Sequence, residues 1–272
     1  MKSIFEIIQI INLQEEVASL VISTYNSFNI RKYDEYLQQL LNIQTAPEAR
    51  ISLMTALEPD SNNIKMLTCM LYALSYTYDK YQELGISDDI FASTMKCFTR
   101  FIQERWNGYH EWIFDRDWWS YRQIAMTIFR LGELEYEMKN KDNEQYISIH
   151  IPSDANLSIE KVGESLTYAK QFFNQYFSDY SNVEYRCHSW LLSPALKNLL
   201  PPHSNILKFQ SLFTLIKEDY SSSGYIEWVY KRKYQDYQEL PENTTLQRNL
   251  KQYLISGNVV SIGLGILKNK YE

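Results

Sequence analysis

Three glutamates at alternate positions, Glu133, Glu135 and Glu137, stand among the apolar Leu134, Tyr136 and Met138. That alternation is the period of a half-buried strand, so the three carboxylates share one face. A carboxylate on a sheet that faces a cleft can take the proton of an amine, directly or through water. The other reading is a solvated strand face. Glu135, mid-strand, is the best placed of the three for catalysis. His150 closes a second alternating stretch, with Ile147, Ile149 and Ile151 on one side and Ser148 and His150 on the other. A neutral imidazole there can serve as a base or order water, or can be a histidine satisfied at a strand end. His150 is the first choice for a functional titratable group.

Cys187 and His188 invite a thiolate–imidazole reading, but adjacent strand residues point to opposite faces, which places them badly as a nucleophile and its base. A buried structural Cys187 is the simpler reading. Tyr185 and Ser189 share the face of Cys187, and a hydroxyl from either can protonate a leaving thiolate. Nothing resembles a Gly-x-Ser-x-Gly elbow. The four histidines (His110, His150, His188 and His203) lack helical i, i+4 spacing, so no metal is expected.

Two kinds of element must hold these residues. The first hundred residues read as successive helices. Val17, Leu20 and Val21 share a face within 5–27, and Ile64, Leu67, Leu71, Leu74 and Tyr78 recur at steps of three and four. Ser87 caps the next helix, which carries Phe91, Met95, Phe98 and Ile102. From about residue 129 the period becomes two. A strand is expected through 138, a turn at Lys141-Asp142-Asn143-Glu144, and a strand at 146–151. A helix at 158–180 and a strand at 183–191 follow. Ile206, Phe209, Phe213, Ile216 and Tyr220 predict one long helix from about 204. A strand at 225–230, a helix at 245–256 and a strand at 259–267 complete the chain. The expected domains are a helical bundle over 1–112 and a mixed sheet flanked by helices over 113–272.

The composition narrows the function classes. A formal net charge of −6 gives no footprint for nucleic acid or anionic membrane. The run Lys231-Arg232-Lys233 reads as a solvated strand end. Three cysteines without paired spacing suit reduced thiols and a cytoplasmic location. No signal peptide is expected, and no membrane span, since no window approaches ~18 apolar residues.

The stretches YISIHIPSDANL (146–157), YRCHSWLLSP (185–194), LPPHSNI (200–206), RLGELEY (130–136) and GISDDI (85–90) resemble a bacterial acyltransferase-like family. Its members pair a helical N-terminal domain with a GNAT-like C-terminal domain. The resemblance implies an α+β protein whose GNAT-like sheet uses acetyl-CoA or another acyl-CoA as co-substrate. It implies N-acyl transfer to a small-molecule or peptide amine by direct attack on the thioester. The alternative is a non-catalytic GNAT-like module that binds a small ligand or a partner protein. In such folds pantetheine lies along a central strand and the pyrophosphate rests on amides at a helix N-terminus, where orphan N–H groups and the helix dipole attract anions. By order this implies cofactor contacts at Ile149, Ile151, Ser153, Ser158, Lys161, Val162 and Gly163, with His150, Glu135 and Tyr185 as catalytic candidates. The loop departs from the usual glycine-rich form: Asp154 and Glu160 bring carboxylates toward the expected phosphates, and Lys161 offsets only one.

Overall fold

Ser3 opens the first helix with a reciprocal cap: its hydroxyl accepts from Glu6 N–H while the Glu6 carboxylate accepts from Ser3 N–H. In the computed structural model, which describes residues 1–141 and 144–268, eight α-helices follow one another in this half of the chain. They are α1 (Ile4–Ile11), α2 (Glu15–Ser27), α3 (Asp34–Gln39), α4 (Ala46–Ala56), α5 (Ile64–Glu83), α6 (Asp88–Met95), α7 (Cys97–Tyr109) and α8 (Asp117–Ile124). The expected helix over 5–27 is thus two, because Asn12 ends α1 in the left-handed conformation. The central helix α5 starts without a side-chain cap of its own. The Asp60 carboxylate supplies one, accepting from the N–H groups of Lys65 and Met66 at 3.1 and 2.9 Å. Its stripe of Leu67, Leu71 and Leu74 is fully buried, as the spacing predicts. These helices form one compact unit, Met1–Phe129.

The second unit, Arg130–Glu272, is built on a six-stranded mixed sheet. Its strands are β1 (Ile128–Leu131), β2 (Leu134–Lys141), β3 (Glu144–His150), β4 (Glu184–Ser189), β5 (Phe213–Asp219) and β6 (Ile262–Leu267), in the order β1-β2-β3-β4-β6-β5. β3 and β4 are parallel, whereas β2–β3, β4–β6 and β5–β6 are antiparallel. Between β3 and β4 runs α9 (Ile159–Tyr176), capped by Ser158 and burying Val162, Leu166, Ala169, Phe172 and Phe173. The remaining helices are α10 (Leu196–Leu199), α11 (Asn205–Gln210), α12 (Tyr225–Tyr230) and α13 (Thr245–Ile255). The α+β class and the order of the two parts agree with the expectation. The centre of the expected turn, residues 142–143, lies outside the described residues.

Four expectations need correction. The strand expected through 138 is two strands, because Gly132 turns the chain at φ +70° between β1 and β2. Glu133 therefore sits in the turn, and Glu135 and Glu137 do not face solvent. The long helix expected from 204 stops at Gln210, and 213–219 is β5. A register shift between Leu215 and Lys217 interrupts the alternation that would have revealed a strand. Residues 225–230 are α12, although aromatic and β-branched residues favour a strand there. Tertiary partners decide it: Tyr225, Ile226 and Tyr230 are buried in a cluster with Leu250 and Leu254. Gln247 Nε2 donates to Val229 O at the helix end, and Tyr230 OH donates to Gln247 O. Lys231-Arg232-Lys233 accordingly follows a helix rather than a strand.

Two packing points yield predictions. Ser165 of α9 accepts from Leu134 N–H, meets Tyr136 OH at 2.9 Å and donates to Leu131 O, all buried. Ser165→Ala is expected to lower stability by about 2–3 kcal/mol by orphaning these groups; denaturant unfolding checks it. Gly263 lets Leu192 lie across β6, where an added Cβ would approach Leu192 Cβ to 2.8 Å. Gly263→Ala is expected to cost about 1–3 kcal/mol through overpacking, read as a lower melting temperature.

Candidate functional site

The β3–β4 ladder begins at Tyr146↔Glu184 and ends at Ile149↔Cys187. Beyond it each strand stays paired on its other side, β3 with β2 at His150↔Glu135 and β4 with β6 at Ser189↔Gly263. The two parallel strands therefore lose their mutual pairing at their C-terminal ends, a fork in the hydrogen-bond ladder. At the opposite end Arg186 braces the pair. It bonds Glu144 at 2.7 and 2.9 Å and Glu184 at 2.6 and 2.9 Å, and stacks on Tyr146.

Alternation sorts the side chains. Tyr136, Ile147, Ile149, Tyr185 and Cys187 take the face covered by α9, while Glu135, Glu137, Lys139, Ser148, His150, Arg186 and His188 take the other. On this polar face Glu135 and Glu137 are only 3% and 2% exposed. Glu137 Oε2 lies 2.8 Å from His150 Nε2, and its Oε1 accepts from Lys139 Nζ at 2.6 Å. A buried carboxylate with a cation on one oxygen and an imidazole on the other meets the requirement that buried charge be paired. Sequence reading had singled out Glu135 above Glu137. The register sets Glu135 opposite His150, but the imidazole bonds Glu137 diagonally.

Tyr185 does not join this group. It lies on the α9 face, its buried hydroxyl has no hydrogen-bond partner, and burial pushes its phenol well above the usual range. Cys187 is on that face too, fully buried, and burial raises its thiol likewise, which makes it inert.

The loop after β3 is pinned by the β1–β2 turn. Arg130 Nη1 donates to both Asp154 oxygens, at 2.7 and 3.0 Å, and Glu133 accepts from Asn156 N–H at 2.8 Å. The Asp154 carboxylate expected to oppose phosphates is thus matched by a guanidinium, a partner not singled out from sequence. Lys161 bonds Glu164 at 2.7 Å, and this carboxylate raises the lysine above its ordinary value. Of the expected contact residues, Ser153 is exposed, Ser158 and Gly163 are half-buried, and Ile149 and Val162 are core residues that offer only backbone. Ile151 packs partly against the cluster around Leu191. A cleft of about 550 Å³ lies elsewhere in this unit, lined by Leu192, Pro194, Lys197, Leu207 and Phe213 among others, and none of the candidate residues lines it.

A mixed sheet forked between two parallel strands, with a capped helix following the first, is the architecture of a GNAT-like domain. A model described as "GNAT-like C-terminal domain" matches residues 128–267, and one described as "N-acyltransferase N-terminal domain" matches residues 3–126. The chain belongs to this N-acyltransferase family, with the helical domain first and the GNAT-like domain second. No curated protein matches the sequence. Among solved structures, an acyltransferase in complex with decanoyl-CoA and teicoplanin is 19% identical, with a TM-score of 0.83 over 97% of this chain and 86% of that one. An acyltransferase in complex with CoA and 10C-teicoplanin is 18% identical, with a TM-score of 0.83 over 98% and 88%. A third, in complex with decanoyl-CoA, is 23% identical, with a TM-score of 0.70 over 74% and 64%. These likenesses extend the fold to nearly the whole chain. Among the described residues no helix is long and apolar enough to cross a membrane.

Proposed function

We propose that the protein is an acyl-CoA-dependent N-acyltransferase that acylates a small-molecule or peptide amine by direct attack on the thioester. The observation that carries this reading is the end of the β3–β4 ladder beside the pair of buried Glu137 and partly exposed His150. Strand edges that part from each other offer backbone groups to an extended, amide-bearing arm such as pantetheine. The N-terminus of α9 offers the N–H groups of Ile159 and Glu160 to a pyrophosphate, while those of Ser158, Lys161 and Val162 donate to Asn156 Oδ1, Ser158 Oγ and Ser158 O. The loop lacks glycines, but pairing of Asp154 with Arg130 removes part of the charge conflict. Family membership and the acyl-CoA complexes of the structural neighbours support the same reading.

In this scheme His150 takes the proton of the attacking amine. The amine nitrogen bonds the acyl carbon, the carbon–sulfur bond breaks, and the proton passes to the departing CoA thiolate. Glu135, the register partner of His150, gives the acceptor or a bridging water an anionic neighbour. Tyr185 has no part here, since it lies on the opposite face. Three buried cysteines, all free thiols, suit the cytoplasmic location that forms part of the proposal.

Calorimetric titration with acetyl-, octanoyl- and decanoyl-CoA, together with thiol release in the presence of candidate amines, tests the reading. Saturable heat and amine-dependent release are expected. Neither heat, nor thermal shift, nor thiol release at saturating concentrations would transfer the case to a non-catalytic module. Arg130→Ala should weaken acyl-CoA binding about tenfold at low salt, because it removes a guanidinium charge paired with Asp154 near the expected phosphates. The loss should shrink as ionic strength rises.

A further inference from the structure

We infer that the cleft of about 550 Å³ between β5, α11 and the segment after β4 is a binding site for a small anionic amphiphile, separate from the proposed acyl-transfer site. Its ligand carries a compact anionic headgroup on an aliphatic chain. Two glycines build the cleft. Gly263 and Gly265 stand on one face of β6. An added Cβ would approach Leu192 to 2.8 Å at either position, Leu215 to 2.8 Å at the first and Phe213 to 3.0 Å at the second. Because no side chain occupies this strip, Leu192, Phe213 and Leu215 settle onto β6 and, with Leu207 of α11, give the cleft an apolar wall. Register fixes the face. Gly265 pairs with both Cys187 and Leu215, and directly paired residues share a face. The cleft is therefore on the α9 side of the sheet, away from the face of His150 and Glu137.

Charge selects the occupant. Lys197 and Lys268 line the cleft, and no carboxylate does. Lys268 Nζ donates to Ser211 O at 2.7 Å, which holds one ammonium at the cleft and leaves it two further donors. Neither lysine has a carboxylate partner among the described residues. In a chain of net charge −6 this is a local reversal of sign. The other polar side chains of the lining are spent on backbone: Gln210 Nε2 donates to Leu191 O and Ser193 O, and Ser211 Oγ to Lys208 O. Recognition of a polar head thus falls to the two ammonium groups, compact point charges that suit a carboxylate or a phosphate. The leucine and phenylalanine wall offers no hydrogen bond, so the rest of the ligand is apolar. The volume lies within the ~300–1,000 Å³ of small-molecule sites.

Calorimetric titration with decanoate and decyl phosphate, below their micelle concentrations, tests the inference against decanol and inorganic phosphate. At least one of the two amphiphiles should bind saturably, the tighter naming the headgroup. Decanol and inorganic phosphate should bind at least about tenfold more weakly. Lys197 is exposed, so its replacement leaves the core intact. Lys197→Gln should weaken the amphiphile about tenfold and Lys197→Glu further, with both losses shrinking as salt rises. Amide shifts on binding should concentrate at Leu192, Leu207 and Leu215. Saturating CoA, which lacks the chain, should change the affinity by no more than about twofold. Lysines that only lay their stems over apolar surface predict equal binding of decanol, and that result would overturn the inference. So would failure of both amphiphiles to bind, unchanged affinity in Lys197→Glu, displacement by CoA, or shifts centred on Ile159 and Glu160. Absence of any acyl-CoA binding or turnover would instead sink the acyl-transfer reading and leave the decanoate result standing.

Discussion

Replacing His150 with alanine is expected to lower kcat by about two to four orders of magnitude, the usual contribution of a positioned general base, while the protein stays folded. His150 is partly exposed and sits at the end of β3, so the change opens no deep cavity. Glu137 keeps Lys139 as a partner, which spares it the large penalty of an unpaired buried charge. Affinity for acyl-CoA should stay nearly constant, because in the proposed scheme the fork and the α9 N-terminus bind that substrate through backbone groups. His150→Gln retains a polar side chain that can still reach Glu137, yet it supplies no base. It should therefore be as inactive as the alanine variant and closer to wild type in stability. Normal turnover in either variant, measured as amine-dependent thiol release with an acyl-CoA that binds, would remove His150 from the chemistry.

The sequence made His150 visible because a lone histidine closes an alternating run before a loop and a capped helix. The strand order around it was legible for the same reason: α9 separates two clear strands, and a strand–helix–strand unit makes them parallel. The partner of His150 was not legible. Glu137 lies thirteen residues away, and its register partner is Ser148, so the contact depends on side-chain reach along a diagonal. Alternation places three glutamates on one face but does not say whether that face is wet. Burial of Glu135 and Glu137 is a tertiary fact. Arg130 and Asp154 are joined across twenty-four residues by a turn whose position hinges on Gly132, and periodicity had run straight through that turn. The C-terminal third was misread where local signals conflict with packing. A bulge hides β5, and the aromatic content of α12 imitates a strand.

Alkaline pH should unfold the protein through groups outside the candidate chemistry. Tyr81, Tyr136 and Tyr185 are buried, and burial pushes each phenol above its ordinary value; for Tyr136 the bond to Ser165 only partly counters it. Burial also raises the thiols of Cys187 and of Cys69, the latter to about 12. Each of these is an acid whose neutral form the fold favours. At neutral pH both states hold the proton and stability is unaffected. As pH rises past the unfolded value, about 8.5 for a thiol and about 10 for a phenol, the unfolded chain releases protons that the native state keeps. Unfolding is then favoured by up to about 1.4 kcal/mol per group for each further pH unit. The thiols start the decline and the phenols steepen it. By about pH 11 the accumulated loss should be comparable with the whole stability of an ordinary domain, about 5–15 kcal/mol. Urea titrations at pH 8, 9.5 and 10.5 should show midpoints that fall with increasing slope. Tyr185→Phe isolates one contribution. It removes a buried hydroxyl that has no partner, so stability at pH 8 should be unchanged or raised by about 1 kcal/mol. Above pH 10 the variant should decline less steeply than the wild-type protein, by the share of one phenol. A parallel decline in both proteins would mean that the Tyr185 phenol ionises in the folded state as readily as in the unfolded one.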